Sequence, residues 1–329
     1  MLAYRMNYSA PLWLPGGNLQ TIWSSLYARR YVDTLPLYRR ERWLTPDSDF
    51  VDVDWLQGPS KKSLFVLFHG LEGSSASQYA QAFADYAKRH DMAFAVPHFR
   101  GCSGELNVGP RAYHSGDYEE IDWILKQFRL KHSGPLFAVG ISLGGNALMR
   151  WAAEMGNAAS QVVTAIASVS SPLDLAAGGH AIGCGFNRLV YTQMFLRSMK
   201  PKALLKLKQY PGLFSAKKLS QVRDLYEFDN IFTAPLHGFK NTDDYWERAS
   251  AKPHLHRISI PALALNAHND PFVPAYSLPK ITEAGRYVTL WQPEQGGHVG
   301  FTRGRFPGHV LTLPEAVGGW LLNAGGVRG

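Results

Sequence analysis

The sequence predicts an α/β protein with a mostly parallel sheet flanked by helices and with a helical cap inserted after the fifth strand. Between about residues 50 and 172, short runs rich in β-branched and aromatic residues alternate with longer segments of helical period, which is the pattern of consecutive β-α-β units. Buried parallel strands are indicated by the runs LFVLF and LFAVG, because these are too short for helices and apolar on both faces.

The order of the elements follows from this alternation. Strands are predicted at Val51–Leu56, Leu64–Phe68, Ala93–Pro97, Leu136–Gly140, Val163–Val169, Ala262–Leu265 and Tyr287–Trp291. Helices are predicted at Ala76–Arg89, Tyr118–Lys131 and Gly144–Met155, with a closing helix that includes Val317–Leu322. After the fifth strand the alternation gives way to Gly-rich turns, a basic helical stretch and a polar segment. We therefore predict that residues 1–172 and 258–329 form one core and that residues 173–257 form a cap.

The composition is that of a packed globular protein. Hydrophobic residues are 46% and charged residues 18% of the 329, and 34 Lys and Arg against 26 Asp and Glu give a formal net charge of +8. The excess is local, since nine basic residues and no acidic residue lie between Phe186 and Arg223. No helix-turn-helix, zinc-finger or aromatic RNA-binding signature accompanies this basic stretch, so we expect no nucleic-acid partner.

Cellular location is predicted from the cysteines and from the length of the apolar runs. Cys102 and Cys184 are the two cysteines of the chain, too few for a disulfide framework or a four-cysteine zinc site, which favours a reducing compartment. No stretch reaches the roughly eighteen apolar residues that suggest a membrane-spanning helix. The sequence thus favours a cytoplasmic protein.

The segment from Leu136 to Asn146 carries the clearest catalytic signal. It reads LFAVGISLGGN and places the pattern G-x-S-x-G between a predicted strand and a predicted helix, which is the context of a nucleophile elbow. Such a turn is so tight that the residues around the serine must lack side chains, and glycines stand at 140, 144 and 145. Ser142 is therefore predicted to be exposed at the carboxyl edge of the sheet, near the amino end of the next helix. The alternative is an ordinary glycine-rich turn.

A serine hydroxyl needs an imidazole to take its proton and a carboxylate to orient that imidazole. In this architecture the partners follow in the order serine, acid, histidine. His298 is the candidate base because it lies in a Gly-rich loop just after the last predicted strand, and His309 is the alternative. Asp270 is the candidate acid because it follows the sixth predicted strand, and the competitor Asp174 follows the fifth.

Two backbone amides are predicted to stabilise an oxyanion. Leu143, directly after the nucleophile, supplies one N–H, and Leu71, in the Gly-rich loop after the second predicted strand, supplies the other. His69 begins that loop and is predicted to brace it by hydrogen bonding. The alternative is a direct catalytic role, although the chain order excludes His69 as the base of the triad.

No cofactor and no metal ion are predicted. The His-x-His pattern at 254–256 and the His-x-Asp pattern at 268–270 could each supply metal ligands, but nothing in the sequence completes a set of three or four. Arg100 and Cys102 follow the third predicted strand and should border the pocket. We expect a structural turn at Arg100 and an inert small residue at Cys102.

Several motifs along the chain match those of a known family. They are His69-Gly-Leu-Glu-Gly73-Ser, Phe99-Arg-Gly-Cys-Ser-Gly104, Tyr113-His-Ser-Gly-Asp117, Gly140-Ile-Ser-Leu-Gly-Gly145, Asn269-Asp-Pro271 and Gly296-Gly-His298-Val-Gly-Phe301. With them the chain resembles α/β-hydrolase family 4, which contains the mammalian α/β-hydrolase-domain proteins one to three, fungal medium-chain ester synthases and many bacterial hydrolases. The resemblance extends over most of the chain, and HGLEGSS together with RGCSG is more specific than the elbow.

The resemblance implies an α/β-hydrolase fold, with Ser142, Asp270 and His298 at the family's triad positions. It also implies activity on carboxylic esters or lipid-derived acyl groups. Asn269 stands where many members carry a second aspartate, so Asp270 is the only carboxylate there. The N-terminal membrane anchor of the animal members is not found, which favours a soluble enzyme.

These observations predict a serine carboxylic-ester hydrolase that acts on short- to medium-chain acyl esters through an acyl-serine intermediate. An alcohol O-acyltransferase or a monoacylglycerol lipase-like enzyme could use the same triad, and a non-catalytic ligand receptor is a third reading. The expected partner is a small acyl ester or a lipid-derived substrate. No obligate protein partner is inferred.

The cap carries an apolar stripe within its basic stretch. Apolar residues recur close to helical spacing at Leu189, Val190, Met194, Phe195, Leu196 and Met199, and they are interleaved with Arg188, Arg197, Lys200 and Lys202. Such a stripe is expected to pack on the core. The alternative is a basic amphipathic face that touches anionic membranes and delivers acyl chains to the pocket.

Overall fold

A computed structural model describes residues 7–56 and 62–327 of the chain. In these residues eight strands form one sheet: β1 Arg39–Leu44, β2 Phe50–Leu56, β3 Leu64–Phe68, β4 Ala93–Pro97, β5 Leu136–Ile141, β6 Ala165–Val169, β7 Ala262–Leu265 and β8 Val288–Trp291. Their order across the sheet is β1-β2-β4-β3-β5-β6-β7-β8. The pairs β1·β2 and β2·β4 are antiparallel and all others are parallel. The carboxyl ends of β5, β7 and β8 therefore lie along one edge.

The predicted strands are confirmed with small shifts at their ends, and the mostly parallel sheet is confirmed with them. Every residue of β3 and β5 is buried, which explains why their sequences are apolar throughout. The sequence does not predict β1, whose sequence RRERWL buries only Trp43. An edge strand with charged, exposed side chains lacks the apolar pattern on which the other predictions depend.

Four helices precede the inserted segment: α1 Gly17–Leu26, α2 Gln78–Arg89, α3 Tyr118–Lys131 and α4 Leu143–Met155. Helices α2 to α4 are confirmed, and α3 has the predicted bounds. The sequence does not predict α1, because the face it buries consists of the polar residues Gln20, Thr21 and Ser24. A helix that packs through polar side chains has no apolar stripe to reveal it.

The segment between β6 and β7 is largely helical and has a small apolar core of its own. Its helices are α5 Leu175–Ile182, α6 Gly185–Asn187, α7 Gln193–Gln209, α8 Ala216–Gln221, α9 Leu225–Phe228, α10 Ala234–Leu236 and α11 Thr242–Ala249, with π-helical turns at Arg188–Thr192 and Asp229–Thr233. Leu196, Leu219, Phe228 and Phe232 pack together inside the segment. It contributes a large part of the wall of the cavity described below.

The apolar residues of the stripe in this segment lie in three different environments. Leu196 packs in the core of the segment, whereas Phe195 and Met199 line the cavity. Leu189 and Met194 are exposed, at 75% and 53% of their surface. The expectation that the stripe packs on the core is therefore only partly correct.

Two further helices complete the core, α12 Ile281–Ala284 and α13 Thr312–Ala324. Helices α2 and α13 pack on one face of the sheet, and α3 and α4 pack on the other. No helix in the described part of the chain combines the length and the apolar character needed to cross a bilayer.

Candidate active site

The sharp turn between β5 and α4 holds Ser142 in an unfavourable backbone conformation. Its φ of 52° and ψ of −118° lie outside the regions that residues with a side chain ordinarily occupy. The turn passes so close to the neighbouring strand that a Cβ on Gly144 would lie 2.5 Å from the backbone oxygen of His69. The Ser142 amide donates to the Val169 carbonyl at 2.9 Å, which ties the turn to β6. The elbow geometry expected from the sequence is thus present.

His298 reaches Ser142 from the loop that follows β8. Ser142 Oγ and His298 Nε2 are 3.0 Å apart, which is a hydrogen-bond distance. The backbone amide of His298 donates to Thr21 Oγ1 at 2.8 Å, and its ring lies against the Phe272 ring with the centroids 4.1 Å apart. The backbone and the ring of His298 are therefore held by separate contacts.

Asp270 lies on the other side of the imidazole. Its two carboxylate oxygens are 3.0 and 3.2 Å from His298 Nδ1. Oδ1 also accepts the amides of Phe272 at 2.8 Å and Val273 at 3.3 Å, so the turn after β7 fixes the carboxylate. A carboxylate at Nδ1 favours the tautomer with its proton there and leaves Nε2 able to accept a proton from Ser142. The structure thus brings together the three side chains that the sequence singled out.

The structure places the two alternative residues elsewhere. Asp174 caps α5, where its carboxylate accepts the Ala177 amide at 3.1 Å. His309 exchanges backbone hydrogen bonds with Arg303, each 2.9 Å long. In the described part of the chain, neither alternative forms a hydrogen bond with Ser142.

The loop after β3 passes directly over the serine. A Cβ on Gly70 would lie 3.2 Å from the Ser142 Cβ. The Gly70 amide donates to the Tyr79 hydroxyl at 3.0 Å, and the Glu72 amide donates to the Tyr113 hydroxyl at 2.9 Å. The Tyr113 hydroxyl in turn donates to the Glu72 carboxylate at 2.9 Å. The two hydrogen bonds between Glu72 and Tyr113 hold Glu72 at a φ of 56°. Together with the bond from Gly70 to Tyr79, they fix the loop on both sides of residue 71.

The amides of Leu71 and Leu143 remain available. Among the described residues, neither amide has a hydrogen-bond acceptor. Leu143 is the first residue of α4, where an N–H has no partner within the helix. Both residues line the same cavity as Ser142 and His298. This arrangement suits a pair of oxyanion donors.

His69 is buried beneath that loop and hydrogen-bonded at both ring nitrogens. Its Nε2 accepts the Phe99 amide at 3.0 Å, so its Nδ1 carries the proton and donates to the Gly70 carbonyl at 2.7 Å. Burial lowers the pKa of His69 to about 3, which keeps the ring neutral. The bracing role is confirmed by these contacts.

Helix α1 supplies positioning contacts that sequence reasoning missed. Gln20 Oε1 accepts both the Gly296 amide and the Asn269 side-chain amide at 2.9 Å. Gly17 lies so close to Asn269 that a Cβ there would overlap its backbone oxygen. One helix therefore anchors both the loop of the acid and the loop of the histidine. The sequence signal for α1 was the family resemblance, which extends over most of the chain.

Ser142 and His298 open into a cavity of about 160 Å³. Its wall is mostly apolar and includes Leu175, Ile182, Phe195, Met199, Phe228 and Phe272. The inserted segment supplies these side chains apart from Phe272, which follows β7. A cavity of this kind accommodates an acyl chain next to the serine.

Most charged side chains on the cavity wall have compensating partners. Glu72 pairs with Lys202 at 2.8 Å, which links the loop over the serine to α7. Arg100 is buried and pairs with Glu120 at 2.5 Å, in agreement with the structural role expected of it. Lys206 Nζ donates to two backbone carbonyls at 2.7 Å.

The Cys102 thiol and the possible metal ligands are the remaining candidates for functional groups. Burial raises the pKa of the Cys102 thiol to about 12, so it stays protonated at neutral pH. Among the described residues, no three or more His, Cys, Asp or Glu side chains are grouped to hold a metal ion.

Comparison with known proteins identifies the family of the chain. Residues 63–304 match the model of the α/β hydrolase fold family. The chain belongs to the α/β-hydrolase family. YheT of Escherichia coli (strain K12), provisionally designated an esterase, is 38% identical over 310 residues, which cover 92% of this chain and 89% of YheT. Homo sapiens phospholipase ABHD3 is 25% identical over 318 residues, which cover 91% of this chain and 75% of ABHD3.

The solved structures agree with this membership at the level of the fold. The Pyrococcus furiosus esterase Pf2001 has a TM-score of 0.53 and 16% identity, covering 91% of this α/β hydrolase and 96% of the Pf2001 chain. The fold class and the family resemblance expected from the sequence are therefore confirmed.

Proposed function

We propose that this α/β hydrolase is a serine carboxylic-ester hydrolase that works through an acyl-serine intermediate. The observation that carries the proposal is the continuous chain of hydrogen bonds from Ser142 Oγ through His298 to Asp270, with a 3.0 Å separation at Ser142. An acid, a base and a nucleophile in this geometry are suited to acyl transfer. The family and its esterase- and phospholipase-named relatives support an ester substrate.

The first half of the reaction forms the acyl-enzyme. Ser142 Oγ attacks the ester carbonyl carbon while His298 Nε2 takes the hydroxyl proton. The amides of Leu71 and Leu143 donate to the oxyanion. The tetrahedral intermediate then expels the alcohol oxygen, which receives the proton from His298, and Asp270 stabilises the imidazolium throughout.

The second half releases the acid. His298 takes a proton from a water molecule, whose oxygen attacks the acyl carbon. The second tetrahedral intermediate collapses, and the bond from that carbon to Ser142 Oγ breaks. Oγ recovers its proton from His298, so the enzyme returns to its starting state.

The substrate class is an acyl ester of short to medium chain length. The cavity is small and its wall is mostly apolar, which favours an alkyl chain over a polar acid. We propose that residues 173–257 act as the cap that sets this chain length, because their side chains close the cavity opposite the sheet edge. A rate profile over p-nitrophenyl esters of increasing length measures the limit, and a rate that rises steadily to the longest chains would contradict it.

The decisive experiment substitutes the nucleophile. Ser142→Ala should abolish turnover of p-nitrophenyl esters, a loss of several orders of magnitude, and should also prevent labelling by a fluorophosphonate. Circular dichroism checks that the variant folds. A matched control is Ser160→Ala on the exposed turn after α4, where the Asn157 carbonyl is the side chain's only hydrogen-bond partner among the described residues. Hydrolysis by Ser142→Ala at the parent rate would refute the proposal.

A peripheral membrane contact belongs to the same proposal. Phe186, Leu189 and Met194 are exposed at 51%, 75% and 53%, and in sequence Arg188 lies between Phe186 and Leu189 while Arg197 follows Met194. Apolar side chains with nearby cations suit an anionic lipid surface. We expect co-sedimentation with phosphatidylglycerol vesicles that weakens as salt is added, and no binding at low ionic strength would refute this contact.

We also propose a cytoplasmic location. Cys102 and Cys184 are both free thiols, which agrees with a reducing compartment. Fractionation of cells followed by immunoblotting tests this, and recovery of the protein from an oxidising compartment would contradict it.

A further inference from the structure

Asp229 is a carboxylate on the cavity wall whose bonding differs from that of the other charged groups there. It begins the π-helical turn Asp229–Thr233 and lines the cavity that holds Ser142 and His298. Its Oδ1 accepts from the Thr233 hydroxyl at 2.6 Å, and its Oδ2 accepts from Trp246 Nε1 at 2.9 Å. Both donors are neutral.

Asp229 differs from Glu72 and Arg100 in its ion-pair partners. Glu72 has Lys202 as a cationic partner, and Arg100 has Glu120. Within the described residues Asp229 has no ion-pair partner. An uncompensated carboxyl in an apolar surround is costly unless further hydrogen bonds satisfy it. Burial accordingly raises the pKa of Asp229 to about 6.

The carboxylate retains acceptor capacity beyond its two contacts with the protein. A carboxylate has roughly four lone-pair sites, and the protein fills one on each oxygen. The two donors hold the group from Thr233 on its own turn and from Trp246 on α11, so its orientation is fixed without a ligand. Because Asp229 borders the cavity, a donor on a bound ligand can reach the unfilled sites.

We propose that Asp229 forms a polar subsite that binds a hydroxyl group of the ester substrate. This inference rests on the proposed ester hydrolase function and names a feature of its substrate. A hydroxyl suits the site better than an ammonium group, because Lys206 lines the same cavity, has only backbone carbonyls as hydrogen-bond partners among the described residues, and would repel a further cation. Moving a neutral hydroxyl into an apolar cavity also costs less than moving an ion.

A purely structural role is the competing explanation. Asp229 could serve only to join its turn to α11 through Trp246. The Asp229→Asn variant separates the two roles, because its Oδ1 can still accept from Trp246 and its Nδ2 can donate to the Thr233 hydroxyl. The variant therefore keeps both protein contacts while it loses the charge and one acceptor oxygen.

The test compares ester pairs that differ by one hydroxyl. In the first arm, p-nitrophenyl esters of ω-hydroxyacyl chains of increasing length are compared with unsubstituted chains of equal length. In the second arm, the 3-hydroxypropyl ester of an acid is compared with the propyl ester of the same acid. These arms distinguish a hydroxyl on the acyl chain from one on the alcohol. Each comparison is a ratio of kcat/KM values.

The wild-type protein should prefer the hydroxylated ester in at least one arm. Asp229→Asn should reduce that preference roughly 10- to 100-fold, as expected for a hydrogen bond to a charged acceptor, with kcat/KM for the plain ester much less affected. Asp243→Asn is the matched control: it makes the same chemical change on the exterior of the cap, where the carboxylate accepts from Tyr226. It should leave the preference intact.

Several outcomes would overturn the inference. They are a wild-type protein without preference in either arm, a preference that survives in Asp229→Asn, and an equal loss for both esters of a pair. The wild-type comparison needs no variant, so it remains decisive if Asp229→Asn fails to fold. A wild-type protein that hydrolyses no ester at all would refute the proposed function itself, whereas hydrolysis without preference refutes only the subsite.

Discussion

Thr21 offers a sharp test of whether α1 positions His298 for the proposed reaction. Its hydroxyl accepts the His298 amide at 2.8 Å and donates to the Gly17 carbonyl at 2.7 Å. Thr21→Val has nearly the same shape but cannot accept, so the His298 amide is left without its partner. Thr21→Ser retains the hydroxyl and loses only a methyl group, which makes it the matched control.

The size of the effect follows from the burial of the bond. Thr21 is 8% exposed, and a buried N–H left unsatisfied costs about 1–3 kcal/mol. If the His298 loop moves to find another acceptor, its imidazole shifts relative to Ser142, and a misplacement of about 1 Å can cost roughly 100-fold in rate. We therefore expect Thr21→Val to lower kcat by about 5- to 100-fold. KM should change little, because Thr21 does not line the cavity.

The assay is steady-state hydrolysis of a p-nitrophenyl ester, with thermal unfolding measured in parallel. Thr21→Ser should stay within about threefold of the parent rate. The methyl group that it loses takes no part in either hydrogen bond of the Thr21 hydroxyl. The reasoning is refuted if Thr21→Val retains the parent kcat and unfolds at the same temperature as the parent. It is equally refuted if the Ser variant loses as much activity as the Val variant.

Three other substitutions test separate parts of the description. Asp270→Asn should lower kcat by several orders of magnitude while KM changes little, because an amide can donate to His298 Nδ1 and favour the wrong tautomer of the imidazole. Stopped-flow or steady-state kinetics measure this loss. As the pH rises from about 4 to 6, the free energy of unfolding of Asp229→Asn should increase relative to that of the parent by at most about 3 kcal/mol. The difference should then level off. The sign follows because burial raises the folded-state pKa of Asp229 to about 6, above its ordinary value of 3.8, so the folded parent is destabilised at high pH. Urea unfolding measured across this pH range tests the sign, and a fall in relative stability would contradict it. Arg100→Met should cost about 3–5 kcal/mol of unfolding free energy by leaving buried carboxylates unpaired, whereas Arg39→Met, at an exposed pair, should cost less than about 1 kcal/mol.

The parts of the fold that could be predicted are those in which local chemistry repeats a simple pattern. Strands such as β3 are buried on both faces, so their apolar runs mark them directly. Ser142 was identifiable because a tight strand-to-helix turn requires glycines at fixed positions. His298 and Asp270 were favoured because each lies in a loop after one of the last two predicted strands, although the order serine, acid, histidine left His309 and Asp174 open as alternatives.

The parts that could not be predicted depend on contacts between distant segments. Helix α1 buries Gln20 and Thr21, and polar residues read as exposed until their partners are known. Asp229 follows the basic stretch and lies close to Asp224 and Glu227, and its spacing does not distinguish it from these other carboxylates. Its importance emerges only when Thr233 and Trp246 are seen to hold it at the cavity wall.

The contact between Thr21 and His298 spans 277 positions of the chain, and this has a consequence for biosynthesis. During translation α1 and Ser142 leave the ribosome before the loop that carries His298. Because a domain generally folds as a unit, a nascent chain that ends before this loop lacks the group to which the Ser142 hydroxyl is hydrogen-bonded. The proposed ester hydrolysis therefore requires a chain synthesised beyond residue 298.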